Sequence, residues 1–291
     1  MNAATPLPGG YHADFLDLQV PMPMPAEGTV IRDLPYTHFT VLLEPVRRLA
    51  LVTGVNIDGD QLVDVSRGDE WHLDSRIPIN EQTGEAVYAN NDLDRGHLVR
   101  RRDPVWGDAS TAQQANVDTF AYTNAAPQAG AFNQSKILWL GLEDHILTYA
   151  RRNRNRISVF TAPVLSTDDP VYRGVGIPQS FWKIAAWTTT IDGATVLQAA
   201  GFVLDQRPQL SDLDLDTLRA QAFITGTPPP LGPYRTFQVP IRDIAGLTDL
   251  DLVALSDADV LVPVSDVRKD TGNRELWAEL SDMSGVHLQG I

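Results

Sequence analysis

The residues best suited to chemistry are concentrated in one stretch of the chain. Asp-Arg-Gly-His occupies residues 94–97, and three consecutive arginines follow at residues 100–102. Thr-Asn-Ala-Ala-Pro-Gln comes next at residues 123–128, and Phe-Asn-Gln at residues 132–134 opens a helical pattern that carries Glu143. Imidazole, guanidinium, carboxamide and carboxylate groups therefore occur close together in the sequence.

This combination of groups matches the needs of phosphodiester hydrolysis. A neutral imidazole such as that of His97 is the most suitable base near pH 7. Guanidinium groups offer planar, paired donors that fit phosphate oxygens. A Mg²⁺ ion keeps several waters and needs only one or two protein oxygens, and the side chain of Asn133 at a helix start can supply one. The residues predict metal-assisted cleavage of a phosphate ester with His97 as general base.

The same motifs resemble the DNA/RNA non-specific endonuclease family, also called ββα-metal or His-Me finger nucleases. The matching pieces, in chain order, are Arg67 ahead of Trp71 and Asp74, Asp-Arg-Gly-His at 94–97, Asp118-Thr119-Phe120, Thr-Asn-Ala-Ala-Pro-Gln at 123–128, and Phe-Asn-Gln at 132–134 with Trp139 and Glu143. Several motifs in the right order are far more specific than one tetrapeptide. The resemblance extends from about Tyr36 to about Leu250 and so covers most of the chain.

The resemblance implies an α+β fold, the ββα-metal (His-Me finger) nuclease fold, with a central mixed or antiparallel sheet. It also implies the chemistry of the metal and the base. His97 would be the general base, and Asn133 would be the direct ligand of Mg²⁺, for which Mn²⁺ can substitute. Glu143 would hold the ion through a water molecule.

The resemblance assigns the remaining site residues to the phosphate. Arg95 would brace the scissile phosphate, Arg67 would stabilise the charge of the transition state, and Asn124 would orient groups around the base and the phosphate. The consecutive arginines are predicted contacts to nucleic acid: Arg100, Arg101 and Arg102. The family chemistry would leave 5′-phosphate ends, and such a site would cut both DNA and RNA because its contacts are to phosphate.

Other interpretations stay open on the residues alone. His97 is also compatible with a structural role as a buried histidine, and Asn133 with capping a helix, which does not conflict with metal binding. The whole chain could be a non-catalytic module that binds nucleic acid or a protein, or a metal phosphodiesterase acting on a small ester.

The bulk composition limits these choices. The formal net charge of −14 argues against a generally basic surface that coats nucleic acid, but it is compatible with a local basic cleft. The absence of cysteine excludes disulfides and thiolate metal sites, which favours a hard cation such as Mg²⁺.

The hydrophobic pattern predicts strands and helices on either side of the motifs. Strands are expected at residues 36–43, 48–55, 157–160, 182–189 and 195–204, and helices at 109–121 and 133–151. A further short amphipathic helix is expected around Leu276 and Leu280. The order of the elements favours a single mixed α+β domain over an alternating doubly wound fold.

We expect an extended arm at residues 1–30, the nuclease domain at 31–256, and a C-terminal tail packed on the domain at 257–291. The N-terminus has no basic start and no apolar segment, and no apolar run is long enough to span a bilayer, so no membrane association is expected. The sequence predicts a cytoplasmic protein unless a signal-independent route exports it. A homodimer and a dedicated inhibitor protein are both compatible with the family resemblance.

Overall fold

The fold is built on one large antiparallel sheet. The computed structural model describes residues 9–90, 93–129, 136–206, 235–261, 277–280 and 286. Its strands are β1 (Arg32–Tyr36), β2 (Phe39–Glu44), β3 (Leu49–Asp58), β4 (Leu93–His97), β5 (Ala125–Ala129), β6 (Arg156–Pro163), β7 (Val171–Tyr172), β8 (Val175–Gly176), β9 (Ser180–Ile191), β10 (Ala194–Asp205), β11 (Arg235–Val239) and β12 (Ala278–Glu279). Eight of them form the sheet in the order β1-β2-β3-β6-β9-β10-β11-β12, with every neighbouring pair antiparallel.

The helices are few and mostly short. They are α1 (Glu85–Tyr88), α2 (Ala109–Asp118), α3 (Lys136–Asn153), α4 (Ile241–Thr248) and α5 (Val253–Asp257), with 3-10 turns at Ile79–Glu81 and Tyr122–Asn124. Asp108 caps α2 by accepting hydrogen bonds from the backbone N–H groups of Ser110 and Thr111. Among these described helices, none combines the length and the apolar character needed to cross a membrane.

Each face of the sheet carries its own hydrophobic core. Side chains alternate along β9, so that Phe181 and Ala185 point to one face while Trp182 and Ile184 point to the other. The first face is covered by α3 and by the two-stranded β4–β5 ribbon, and the second by α4, α5 and the N-terminal residues. The result is three layers, with the motif residues on the first face.

The N-terminal residues are part of the second layer. Leu16 and Val20 are 2% and 0% exposed and belong to the hydrophobic core of that face. The hydroxyl of Tyr11 donates to the carbonyl of Val20 at 2.7 Å, and the backbone N–H of His12 donates to the side-chain oxygen of Asn56 at 2.6 Å. Residues 9–20 are thus fixed to the sheet by both packing and hydrogen bonds.

Most predicted elements are confirmed. The predicted strands at 48–55, 157–160, 182–189 and 195–204 coincide with β3, β6, β9 and β10, and the helices with α2 and α3. The single strand predicted from residue 36 is in fact a turn followed by β2, because His38 has a positive φ of 65° that ends β1 and reverses the chain.

The amphipathic helix predicted around Leu276 and Leu280 is wrong where the structure can be compared. Ala278 and Glu279 form β12, which pairs with Gln238 and Phe237 of β11, and Leu280 is buried in the core of the first face. The open edge of β11 offers backbone hydrogen bonds that outweigh the local helical pattern. Leu276 lies outside the described residues.

The docking of the N-terminal residues can be tested by truncating a core side chain. We expect Leu16→Ala to lower the free energy of unfolding by about 2–5 kcal/mol, because the change leaves a cavity in the second face. Val30→Ala is the control, since Val30 is 61% exposed and its truncation should change stability by less than about 0.5 kcal/mol. Urea unfolding measures both, and equal stabilities would contradict the docking.

Candidate active site

The predicted base lies at the end of a two-stranded ribbon. β4 pairs antiparallel with β5, with His97 opposite Ala125 and Asp94 opposite Gln128. The helix α3 follows this ribbon in the chain. The segment between the ribbon and α3, which includes the predicted metal ligand Asn133, lies outside the described residues. The Asp-Arg-Gly-His motif is therefore strand β4 rather than a loop.

Gly96 is required by the packing inside this ribbon. A Cβ atom at Gly96 would lie 2.1 Å from the side-chain Cδ of Gln128, which is itself buried. The missing side chain lets Gln128 lie directly against the strand. Because side chains alternate along a strand, Arg95 and His97 then emerge on the same face of the ribbon.

The imidazole of His97 is enclosed by aromatic rings. Its centroid lies 4.7 Å from that of Trp71 and 5.1 Å from that of Phe120, which meets it edge-on at 85°. The ring retains some exposure, but its Nε2 atom is buried and has no hydrogen-bond partner among the described residues. Burial, together with the positive charges of Arg67 and Arg101, lowers the pKa of His97 from 6.5 to about 3. The imidazole is thus neutral throughout the physiological pH range.

Two arginines place positive charge beside this neutral ring. Arg67 is 70% exposed in its side chain, and its closest carboxylate contact is Asp69 at 3.9 Å. Arg101 donates from Nη1 to the side-chain oxygen of Asn116 at 3.0 Å, which holds its guanidinium in place. A positive field next to an uncharged base is suited to an anionic substrate.

Arg95 is paired with a carboxylate that sequence reasoning did not single out. Its Nη2 donates to Oε2 of Glu85, and the hydroxyl of Tyr122 donates to the same oxygen at 2.6 Å. The guanidinium also lies 6.0 Å from the centre of the Trp71 ring. Glu85 comes from a polar stretch without a motif, so only the folded structure identifies it as the partner of Arg95.

Asn124 is directed into the protein. Its side chain is fully buried, and its oxygen accepts from the backbone N–H of Val99 at 2.8 Å. Its amide nitrogen donates to the carbonyls of Val99 at 2.9 Å and Thr119 at 3.0 Å. Asn124 therefore fixes the backbone just after His97 and is too enclosed to touch a substrate.

Glu143 contacts a buried lysine that sequence reasoning missed. Oε1 of Glu143 accepts from Nζ of Lys183 at 3.0 Å, and Oε2 lies 3.8 Å from Nε of Arg100. Lys183 is 1% exposed and stands on β9, so this ion pair joins α3 to the central sheet. The signal in the sequence was one lysine within the apolar run at residues 181–187, because a lysine is almost never fully buried unless it is paired.

The three consecutive arginines differ in their surroundings. Arg100 has only 14% of its side chain exposed and bonds to Asp144, while Arg102 is 41% exposed and donates to Asp64 at 2.6 Å. Arg101 contributes to the field at His97. Each of the three has a protein partner, and Arg102 is more exposed than Arg100.

The donor groups near His97 limit the kind of metal site that can form. Within the described ranges, no group of three or more histidine and acidic side chains could surround an ion. Glu143 faces Lys183 and Arg100, which makes it a poor direct ligand. A hydrated cation held by one or two protein oxygens is compatible with this environment, whereas the described residues form no cage of carboxylates.

The chain is similar to known proteins over most of its length. A family model described as DNA/RNA non-specific endonuclease matches residues 22–259. An uncharacterized protein of Sinorhizobium fredii, y4fB, is 38% identical over 278 residues, which cover 86% of this chain and 40% of that protein. The mitochondrial endonuclease G of Bos taurus is 27% identical over 47% of this chain and 44% of its own length, and that of Homo sapiens is 26% identical over 52% and 47%. The chain thus matches less than half the length of each of these relatives.

The requirement for glycine at residue 96 gives a direct test of the ribbon. We expect Gly96→Ala to destabilise the protein by about 1–3 kcal/mol, because the added methyl group overlaps Gln128. Gly246→Ala in α4 is the matched control: a Cβ there meets nothing within 4 Å, so it should be neutral or stabilise by up to about 1 kcal/mol. Thermal unfolding compares the two, and a Gly96→Ala protein as stable as the parent would contradict the packing.

The lowered pKa of His97 also makes stability depend on pH. Between about pH 3 and 6.5 the unfolded chain takes up a proton that the folded His97 does not, so His97 makes stability fall as the pH is lowered through this window. We expect acidification from pH 7 to pH 4.5 to destabilise the parent more than His97→Gln, by about 1–3 kcal/mol.

The difference between the two proteins isolates His97 from other titrating groups. Burial raises the pKa of Asp103 to about 7, which acts in the opposite direction but equally in both proteins. Urea unfolding at the two pH values measures the effect. The same loss of stability in both proteins would show that His97 is not desolvated.

Proposed function

Because the chain belongs to the DNA/RNA non-specific endonuclease family, we propose that it hydrolyses phosphodiester bonds of DNA and RNA without sequence preference and with His97 as general base. The match to the family model and the similarity to endonuclease G confirm the resemblance seen in the motifs. The observation that carries the proposal is the placement of the His97 imidazole, which is enclosed by aromatic rings and has a buried Nε2 without a partner in the described part of the chain.

We further propose that the β4–β5 ribbon and α3 are the ββα-metal, or His-Me finger, arrangement. The support is the order and pairing of the elements: an antiparallel ribbon carrying His97 is followed by a helix carrying Glu143. A bound Mg²⁺ ion, or Mn²⁺ in its place, would act as a Lewis acid on the phosphate. Asn133 would hold the ion directly, and Glu143 would hold it through a water molecule.

In this proposal His97 removes a proton from the attacking water. A base must be unprotonated before the reaction, and desolvation of the ring guarantees this state at neutral pH. After the proton is taken, the imidazolium is disfavoured by the adjacent arginines, so it releases the proton to solvent through the exposed part of the residue.

The arginines around His97 would bind the phosphate. Arg67 is the most exposed of them and has only a weak contact to Asp69, so its donors are accessible to a phosphate oxygen. Arg95 would bind the phosphate while its guanidinium keeps part of its contact to the Glu85 carboxylate. Contacts of this kind read the backbone and not the bases, which would allow activity on both DNA and RNA. The 5′-phosphate products that we propose would follow from departure of the 3′ oxygen.

The proposal is tested with purified protein, supercoiled plasmid and single-stranded RNA. We expect both substrates to be degraded in Mg²⁺ and neither in EDTA. His97→Ala should reduce the rate at least about 100-fold, the usual contribution of a general base. Products should be ligated without prior kinase treatment, which identifies 5′-phosphate ends.

The control is His12→Ala, because His12 is an exposed histidine outside the site. It should cleave at the rate of the parent, and thermal unfolding should show that both variants are folded. Undiminished cleavage by His97→Ala would reject His97 as the base. Binding of nucleic acid without cleavage under any divalent metal would favour the non-catalytic module.

A further inference from the structure

A cavity of about 540 Å³ lies beside the enclosed imidazole. The residues that line it come from the segment 69–73, from α1, from β4 and from the 3-10 turn at Tyr122–Asn124. They are Asp69, Trp71, Leu73, Glu85, Arg95 and Tyr122. Trp71 lines the cavity and also packs against the proposed base, since its ring centroid lies 4.7 Å from that of His97. A molecule held in this cavity would therefore lie beside Trp71 and beside Arg95, the proposed brace of the scissile phosphate.

Part of the cavity wall is aromatic and apolar, formed by Trp71, Leu73 and Tyr122. The rings of Trp71 and Tyr122 lie 5.6 Å apart, and Trp71 keeps part of its surface exposed. Leu73 is 37% exposed and adds apolar surface to the wall of the cavity. The volume falls in the range of sites that hold small organic molecules.

Away from Arg95, the charges around the cavity disfavour a phosphate. Arg95, which would brace the scissile phosphate, is the one cation among the lining residues, and its guanidinium also bonds to Glu85. Asp69 adds a second carboxylate that is 82% exposed. The cavity is thus formally negative, whereas the positive field at His97 comes from Arg67 and Arg101. The phosphate fits the arginine side of His97, and an uncharged, planar group fits the cavity side.

We propose that the cavity is the subsite for the nucleobase of a nucleotide adjoining the scissile phosphate, with Trp71 as its stacking surface. The proposal rests on the proposed nuclease function. Stacking on an aromatic ring accepts every base, because each base presents a π-face, so such a subsite is compatible with cleavage at any sequence. It would hold the substrate in register relative to His97 without reading the sequence.

The test uses single-stranded oligonucleotides that carry one abasic residue. Cleavage rates are determined at every bond by gel electrophoresis and are compared with the same bonds in the intact oligonucleotide. At one bond, cleavage would place the abasic residue in the subsite. We expect the parent protein to cut that bond about 5- to 100-fold more slowly, because one stacked base is missing. Bonds farther along the strand should be cut normally.

Trp71→Leu should remove this local loss, so that intact and abasic oligonucleotides give the same pattern. Trp71→Phe should restore part of it, since it keeps an aromatic face; thermal unfolding confirms that both variants are folded. Trp277→Leu is the matched control, because Trp277 packs on the opposite face of the sheet against Phe237 and bonds to Asp243 at 2.9 Å. It should keep the local loss.

The outcomes separate the two proposals. Cleavage by the parent with a flat pattern across the abasic oligonucleotide would overturn the base subsite while leaving the nuclease function intact. A local loss that persists unchanged in Trp71→Leu would reject Trp71 as the stacking surface. An absence of cleavage at any bond by the parent would overturn the nuclease function, and the subsite with it.

Discussion

Desolvation of the His97 imidazole is the condition on which the rest of the site depends. A histidine free in water would be partly protonated near pH 6.5, and a protonated ring cannot accept a proton from water. Packing against Trp71 and Phe120 withdraws the ring from solvent, and Arg67 and Arg101 further disfavour its charged form. The arginines that attract an anionic substrate thereby also keep the base in its reactive state.

The fold maintains this condition with rigid supports on each side of His97. Gly96 allows the ribbon to close on Gln128, and the buried carboxamide of Asn124 fixes the backbone that follows His97. Beneath them, Lys183 joins α3 to the sheet through Glu143. A buried ion pair of this kind adds little net stability, but removal of one partner is costly, so it is better suited to fixing position than to strengthening the fold.

The sequence was informative wherever a property is local. Spaced motifs identified the family, and the alternation of apolar residues located most strands of the sheet. Partners distant in the chain could not be predicted, because no local pattern encodes them. Examples are the ion pair between Glu85 and Arg95, the ion pair between Lys183 and Glu143, and the pairing of β12 with β11. The assigned roles of Asn133 and Glu143 in metal binding remain predictions.

The most direct test of the account is an NMR titration of the His97 imidazole in protein labelled with ¹³C at histidine, with His97→Gln to assign the resonance. We predict that this ring stays neutral well below pH 6.5. A midpoint near or above 6.5 would show that the ring is solvated or paired with a negative charge, and it would contradict the proposal that desolvation sets the state of the base.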